Sequence, residues 1–305
     1  MGYLNYEVEQ LFHRQNKNWP LAEKNYLALA LVKTRRLSVE GVDLTLQFNP
    51  ARIGSTTSKI DPQSIKERPC FLCQHHLPPE QERLPFCTRS GNEYLILCNP
   101  FPISPRHFTL ADVNHTEQLI EGRILDMLEL AEHLSDFILL YNGPKSGASA
   151  PDHFHFQACC KGFLPIQTIV ESGCSISHYP IPALVLESED VEAVTSHFHL
   201  LYEFLQEVYS QEPEPMFNIL CWKSGVRNFL VVFPRKKHRP SQFFEKGEAN
   251  ILISPGAIDL GGVIITPLEK DYDKLTTLDF FDIIGQLSID PQYLTHISHL
   301  LSKTL

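Results

Sequence analysis

Residues 142–160 read NGPKSGASAPDHFHFQACC. From His153 to Gln157, polar side chains alternate with phenylalanines, which is the two-residue period of a β-strand. On such a strand His153, His155 and Gln157 share one face, and Phe154 and Phe156 turn to the other. The preceding run, Gly147, Ala148, Ser149 and Ala150, is small enough for backbone to approach a ligand closely. Three nitrogen-bearing side chains in a row make a metal site, a nucleophilic site or a polar surface. The small-residue loop beside them favours the first two.

Working outward, FILLYNG (137–143) reads as the preceding strand, and EYLILCN (93–99) and FTLAD (108–112) as earlier ones, separated by the breaker PFPISPRH. Between 112 and 137 the spacing predicts a helix over 114–135. Its apolar stripe runs through Ile120, Ile124, Met127, Leu128, Ala131 and Leu134, and Asn114 with Glu117 forms a capping pair at its start. Upstream, residues 1–36 read as helical, VDLTLQF (42–48) as an alternating strand and 53–69 as a polar loop. Downstream, 188–209 reads as an amphipathic helix and 216–238 as a hairpin through Lys223-Ser224-Gly225. NFLVVFPRKKH echoes EYLILCNPFPISPRH, and ILISPGAIDLGGVIITP stands where the histidine region stood, without the histidines. The expected fold class is α+β, a duplicated unit with a mainly antiparallel sheet and packed helices.

With Asp and Glu (36) exceeding Lys and Arg (26), the net charge of −10 argues against general nucleic-acid or anionic-membrane binding. No apolar run is long enough to cross a bilayer, and the first residues lack the apolar centre of a signal peptide. The eight cysteines are scattered through a chain too large to need disulfide staples. Reduced thiols and a cytoplasmic location are expected. One pair has informative spacing, Cys70-Phe71-Leu72-Cys73. C-x-x-C is half of a zinc site, and the remaining ligands would come from His107 in SPRHFTL and from His153. His75, His76, His115, His197 and His199 read as surface or packing residues, the last two diverging on a helix. The cluster PRKKHRP (234–240) reads either as a solvated loop or as a phosphate-facing one.

Together CFLC, SPRHFTL and NGPKSGASAPDHFHFQ…GFLP resemble the histidine-triad superfamily in its galactose-1-phosphate uridylyltransferase branch. LTLQFNPAR with DHFHFQA is similar to GDP-hexose phosphorylases, and YNGPKSGAS with FNILCWKSGVRNFLVVFPRKK to diadenosine tetraphosphate phosphorylases. NPAR…ERPCFLC also resembles an uncharacterised bacterial family. The resemblance covers about residues 42–272. It implies an N-terminal helical extension (1–41), a catalytic half-barrel unit (42–175) and a second unit without the histidine motif (176–305). It makes His155 the nucleophile that accepts a nucleoside monophosphate and Gln157 the residue contacting the phosphoryl group. It places Asn49 and Arg52 near the nucleotide and a structural zinc on Cys70, Cys73, His107 and His153. Glutamine in place of a third histidine implies transfer to phosphate or a sugar phosphate rather than hydrolysis. In one departure, the stretch from Ser149 to the motif is a residue longer than in the uridylyltransferases and dinucleotide phosphorylases.

The chemistry agrees with this. An imidazole attacks phosphorus well when one nitrogen is kept deprotonated and the other is aimed by a hydrogen bond. Ser149, the amides of 146–149 (Ser146 and Gly147 among them) and the Gln157 amide are placed to meet the phosphoryl oxygens. Arg52, Lys145 and Arg235 or Lys236 would offset the remaining charge, and Asn99 and Phe101 are the base-side candidates. The expected substrate is a nucleoside-diphosphate sugar or a dinucleoside polyphosphate, with no organic cofactor, and a homodimer is compatible. Two other classes compete. A metal-dependent hydrolase on the His153/His155 pair would need more ligands at later strand ends, and a non-catalytic nucleotide sensor would keep only the pocket.

Overall fold

The structure, a computed structural model, describes residues 2–208 and 213–301. Its strands are β1 (Lys33–Val39), β2 (Val42–Phe48), β3 (Leu84–Cys87), β4 (Glu93–Cys98), β5 (His107–Asp112), β6 (Phe137–Asn142), β7 (His155–Cys160), β8 (Leu184–Ser188), β9 (Phe217–Ser224), β10 (Arg227–Pro234) and β11 (Val263–Thr266). Eight of them form one antiparallel sheet in the order β3-β4-β5-β7-β6-β9-β10-β8. The two halves of the chain meet in its middle, where β6 pairs with β9 and Leu140 stands opposite Leu220. The fold is α+β, a large antiparallel sheet with packed helices.

Both faces of the sheet are covered, which is why its central strands read as unbroken apolar runs. Leu139, Tyr141, Phe154, Phe156, Ile219 and Val232 face the helices Tyr3–Asn18, Ile124–His133 and Val191–Val208. Their neighbours Ile138, Leu140, Cys159, Leu220, Trp222 and Val231 face a second core, which includes Phe280, Ile283, Ile284 and Leu287 of the helix Thr277–Leu287. Phe154 and Phe156 are fully buried, each contributing on the order of 2–3 kcal/mol from removal of its ring from water. On β7 this alternation sends Cys159 into the second core, whereas Gln157 and His155 stand where that core gives way to a cleft.

Three expectations change. Residues 33–36, the end of the expected helical stretch, are not helical: with 37–39 they pair residue for residue with β2 through a turn at Glu40 (φ 50°) and Gly41 (φ 84°). Left-handed φ at both central residues is the tight-hairpin geometry, and pairing outweighs the helical propensity of the segment. The boundary expected at 41/42 therefore falls inside a hairpin, and Leu4, Val8 and Leu11 of the N-terminal helix belong to the first core. The helix expected over 114–135 begins only at Ile124. The stretch before it is drawn to the histidine strand instead, with Phe154 N donating to Thr116 O and Gln118 bonding both the amide and the carbonyl of His155. Finally, β11 is not a strand of the large sheet; it pairs in parallel with β2. The expected helix 188–209 runs from Val191 to Val208, and Tyr209 lies outside the described residues. No helix among the described residues is long and apolar enough to cross a membrane.

Candidate active site

His155 opens β7 and is almost completely buried. Its Nδ1 lies 2.9 Å from the carbonyl oxygen of His153. A carbonyl can only accept, so Nδ1 carries the proton and Nε2 keeps its lone pair. Burial, the leading cause, brings the ring down to about 4, so it is neutral at pH 7. The side chain lines a cleft of about 610 Å³. This is the state a histidine nucleophile needs: aimed by one nitrogen and unprotonated on the other.

Next to it, the ligand atoms of Cys70, Cys73, His115 and His153 lie within 4.8 Å of one another. His153 Nδ1 is 3.3 Å from Cys70 Sγ and 3.6 Å from Cys73 Sγ, and His115 Nδ1 is 3.2 Å from Cys73 Sγ. His153 Nε2 donates to Asp112 O at 2.8 Å, leaving Nδ1 as a lone-pair donor. Two thiols and two imidazoles are a zinc-type donor set. The Cys70 thiol sits at about 6: burial pushes it up, and the His153 ring together with the amides of Leu72 and Cys73 pulls it further down. His153 thus links two sites, its ring in the sulfur–nitrogen cluster and its carbonyl on the His155 ring.

The fourth member of the cluster is His115, not His107. Antiparallel β5 places His107 opposite Cys159 and Ala111 opposite His155. His107 therefore lies about six residues, or ~20 Å, along the sheet from His153, while the chain leaving the other end of β5 carries His115 to it. His107 instead accepts from Ile103 N on Nδ1 and donates from Nε2 to Gln157 Oε1 at 2.8 Å. Burial first, and then nearby Arg52, lower its pKa to about 3, so it stays neutral and in this tautomer. With Oε1 so engaged, Gln157 turns its amide NH₂ toward the cleft. Replacing His107 with phenylalanine frees that carboxamide to rotate; kcat is expected to fall about 10²-fold with KM little changed, as for loss of one preorganised donor to the transition state, in steady-state assays.

The cleft has two parts that share Arg52, Ser55, Ser58, Ser149 and Gln157. The larger is apolar, with Phe71, Leu72, Leu77, Leu97 and Phe101 on its walls and Asn99 beside them. The smaller, of about 60 Å³, is polar and includes Gly147, Ser149, Arg239, Ser254 and Gly256. Among the described residues, the amides of Gly147 and Ser149 have no hydrogen-bond partner. Arg52 donates to Phe101 O at 2.7 Å, bracing the apolar wall.

Five expected binding residues fall elsewhere. Lys145 and Lys236 are exposed and line neither part. Asn49 is buried and donates to Gln47 Oε1 and Pro102 O, so it shapes the turn before Ile103 rather than the cleft. Arg235 is fully buried and spends its Nη1 and Nη2 groups on backbone carbonyls and Asn218. Ser146 is buried as well and lines neither part: its N–H donates to Gly143 O, and its carbonyl accepts from Asn218 and Arg235. Of the basic cluster 234–240, His238 and Arg239 reach the polar part, and Arg239 is held by Ser254 Oγ, Thr56 O and Ser58 O. The contribution of 254–259 was not expected; that loop comes from the second half, and nothing in its local sequence marks it.

Residues 11–160 match a domain of unknown function, DUF4922, and residues 166–305 match a GDPGP1-like, C-terminal domain. No curated protein matches the chain in sequence. Among solved structures, the crystal structure of yeast Ap4A phosphorylase Apa2 superposes with a TM-score of 0.64 at 15% identity, over 95% of this chain and 98% of that one. Apa2 in complex with Ap4A gives 0.64 at 16% identity, over 93% and 97%. Apa2 in complex with AMP gives 0.62 at 16% identity, over 92% and 97%. The first half of the chain is thus similar to a DUF4922 domain and the second to a GDPGP1-like C-terminal domain, and the whole shares the fold of yeast Ap4A phosphorylase Apa2.

Proposed function

We propose that the chain is a nucleotidyltransferase or phosphorylase that works through a covalent nucleotidyl-His155. Its donor is a nucleoside-diphosphate sugar or a dinucleoside polyphosphate. His155 Nε2 attacks the α-phosphorus; the N–P bond forms as the bond to the bridging oxygen breaks, and the leaving phosphate departs with that oxygen. An oxygen of phosphate or of a sugar 1-phosphate then attacks the same phosphorus and releases the imidazole. The observation that carries the reading is the Nδ1–H···O=C bond to His153, which leaves Nε2 as a free nucleophile at a cleft with an apolar and a polar end. The Gln157 NH₂ and the amides of Gly147 and Ser149 are the donors for the charge that develops on phosphorus oxygens. Arg52 and Arg239 supply the positive charge.

A structural zinc on Cys70, Cys73, His115 and His153 belongs to the same proposal. It would hold the His153 ring, and through the His153 carbonyl the tautomer of His155. The hydrolase reading needs His153 and His155 on one metal, whereas His153 Nδ1 faces the thiols and His155 Nδ1 faces a carbonyl. The test is chromatography of UDP-, GDP- and ADP-hexoses and diadenosine tetraphosphate with and without phosphate. Cleavage of one donor class that requires phosphate or a sugar 1-phosphate is expected. Cleavage at the same rate in water alone would contradict the transfer reading.

A further inference from the structure

Arg235 is a buried cation with no carboxylate in hydrogen-bond reach. Its Nη1 donates to Ser146 O (3.3 Å), Asn218 Oδ1 (3.0 Å) and Pro255 O (2.7 Å), and its Nη2 to Lys237 O (3.1 Å) and His238 O (2.6 Å). Burying a lone charge is destabilising relative to an apolar side chain of similar volume. What the guanidinium supplies in return is a rigid fork that fixes carbonyls on three separate segments at once. One of those carbonyls, that of Ser146, also accepts from Asn218 Nδ2 at 2.6 Å.

The segments so joined form both walls of the polar part of the cleft. Gly147 has φ 102°, and a Cβ there would stand 3.2 Å from Gly256 Cα and 3.4 Å from Pro255 O, so the two loops touch. Asn142 Oδ1 fastens them further, accepting from Ala257 N (2.8 Å) and Asn218 Nδ2 (2.7 Å). The 255–259 side is itself rigid: Asp259 accepts from Gly256 N and Ile265 N, both at 2.9 Å. The loop of the first half is therefore set against a fixed frame in the second, and Arg235 is the bolt.

Resting on the function proposed above, we propose that Arg235 is a positioning residue that holds the Ser146–Ser149 loop in register, so that the Gly147 and Ser149 amides meet the phosphoryl group transferred by His155. The second half then acts on the chemistry without touching the substrate through this residue. Arg235→Lys keeps the charge and loses the fork; Arg235→Met keeps the bulk and loses both. The test combines hydrogen exchange by mass spectrometry with kinetics of His155 modification on the full chain. In Arg235→Lys, the loop 143–150 is expected to exchange about tenfold faster or more while β6 and β9 keep their wild-type protection. The rate of His155 modification is expected to fall about 10²-fold, with KM for the donor within about threefold of wild type.

Unchanged loop protection in both variants overturns the proposal. So does loss of protection throughout the sheet in both, which assigns Arg235 to stability alone, and so does a rise in KM with kcat retained. Absence of His155 modification in the wild-type protein counts against the proposed function, while the exchange data still decide whether the loop depends on Arg235.

Discussion

His155→Ala is expected to lower kcat by at least about 10⁴-fold, the scale seen when a covalent nucleophile is removed, while the donor still binds. The variant loses no structural bond beyond Nδ1–H to His153 O, and His155 is one lining residue of an apolar part whose walls are Phe71, Leu72, Leu77, Leu97 and Phe101. Binding measured by calorimetry should therefore stay within about tenfold of wild type, a change worth about 1.4 kcal/mol. The pH profile carries a second expectation. Burial places His155 at about 4 rather than in the usual histidine range, so the reactive neutral ring is kept down to about that pH and lost as pH falls through it. Its titration should add no acid limb to kcat/KM above pH 5. A limb centred near 6.5 would mean a ring more solvated than the structure places it.

Cys70→Ser is the change with the largest expected effect on the folded state. Serine oxygen is a poor replacement for thiolate on zinc, and the site closes contacts between the Cys70–Cys73 turn, His115 beyond β5, and His153 before β7. Elemental analysis should fall from about one zinc per chain to near zero. The loss of a structural metal belongs to the large end of single-residue effects, about 4 kcal/mol or more; in a chain of this size that is a melting temperature lower by about 10 °C. His107→Ala, at the position the sequence pattern favours for the ligand, should leave the zinc content unchanged. Equal zinc in wild type and Cys70→Ser would remove the metal from the account.

The six inner strands of the large sheet were legible because strands covered on both faces read as short apolar runs between prolines and glycines, as at 93–98 and 137–142, and because the hairpin 217–234 carries its turn glycine, Gly225; the edge strands β3 and β8 were not read. The segment 33–39 was not, since its pairing with 42–48 is a tertiary choice that local propensity opposes. His155 and Gln157 were legible from their period of two and their company. His115 was hidden by register: both ends of β5 carry a histidine, and the antiparallel partner alone decides which one reaches His153. The same separation hid the 254–259 loop, which stands far beyond the histidine motif and meets it only in the folded chain. The basic cluster 234–240 looked uniform in sequence, and the fold divides it among solvent, core and cleft.

The most direct test of the central claim is intact-protein mass spectrometry after incubation with UDP-glucose, GDP-glucose, GDP-mannose, ADP-glucose and diadenosine tetraphosphate, each without acceptor. The account predicts an added mass matching UMP, GMP or AMP that is absent from His155→Ala and disappears when phosphate or a sugar 1-phosphate is added. A folded protein that binds one of these donors yet never gains that mass would contradict it, leaving a nucleotide-binding pocket without the nucleophile.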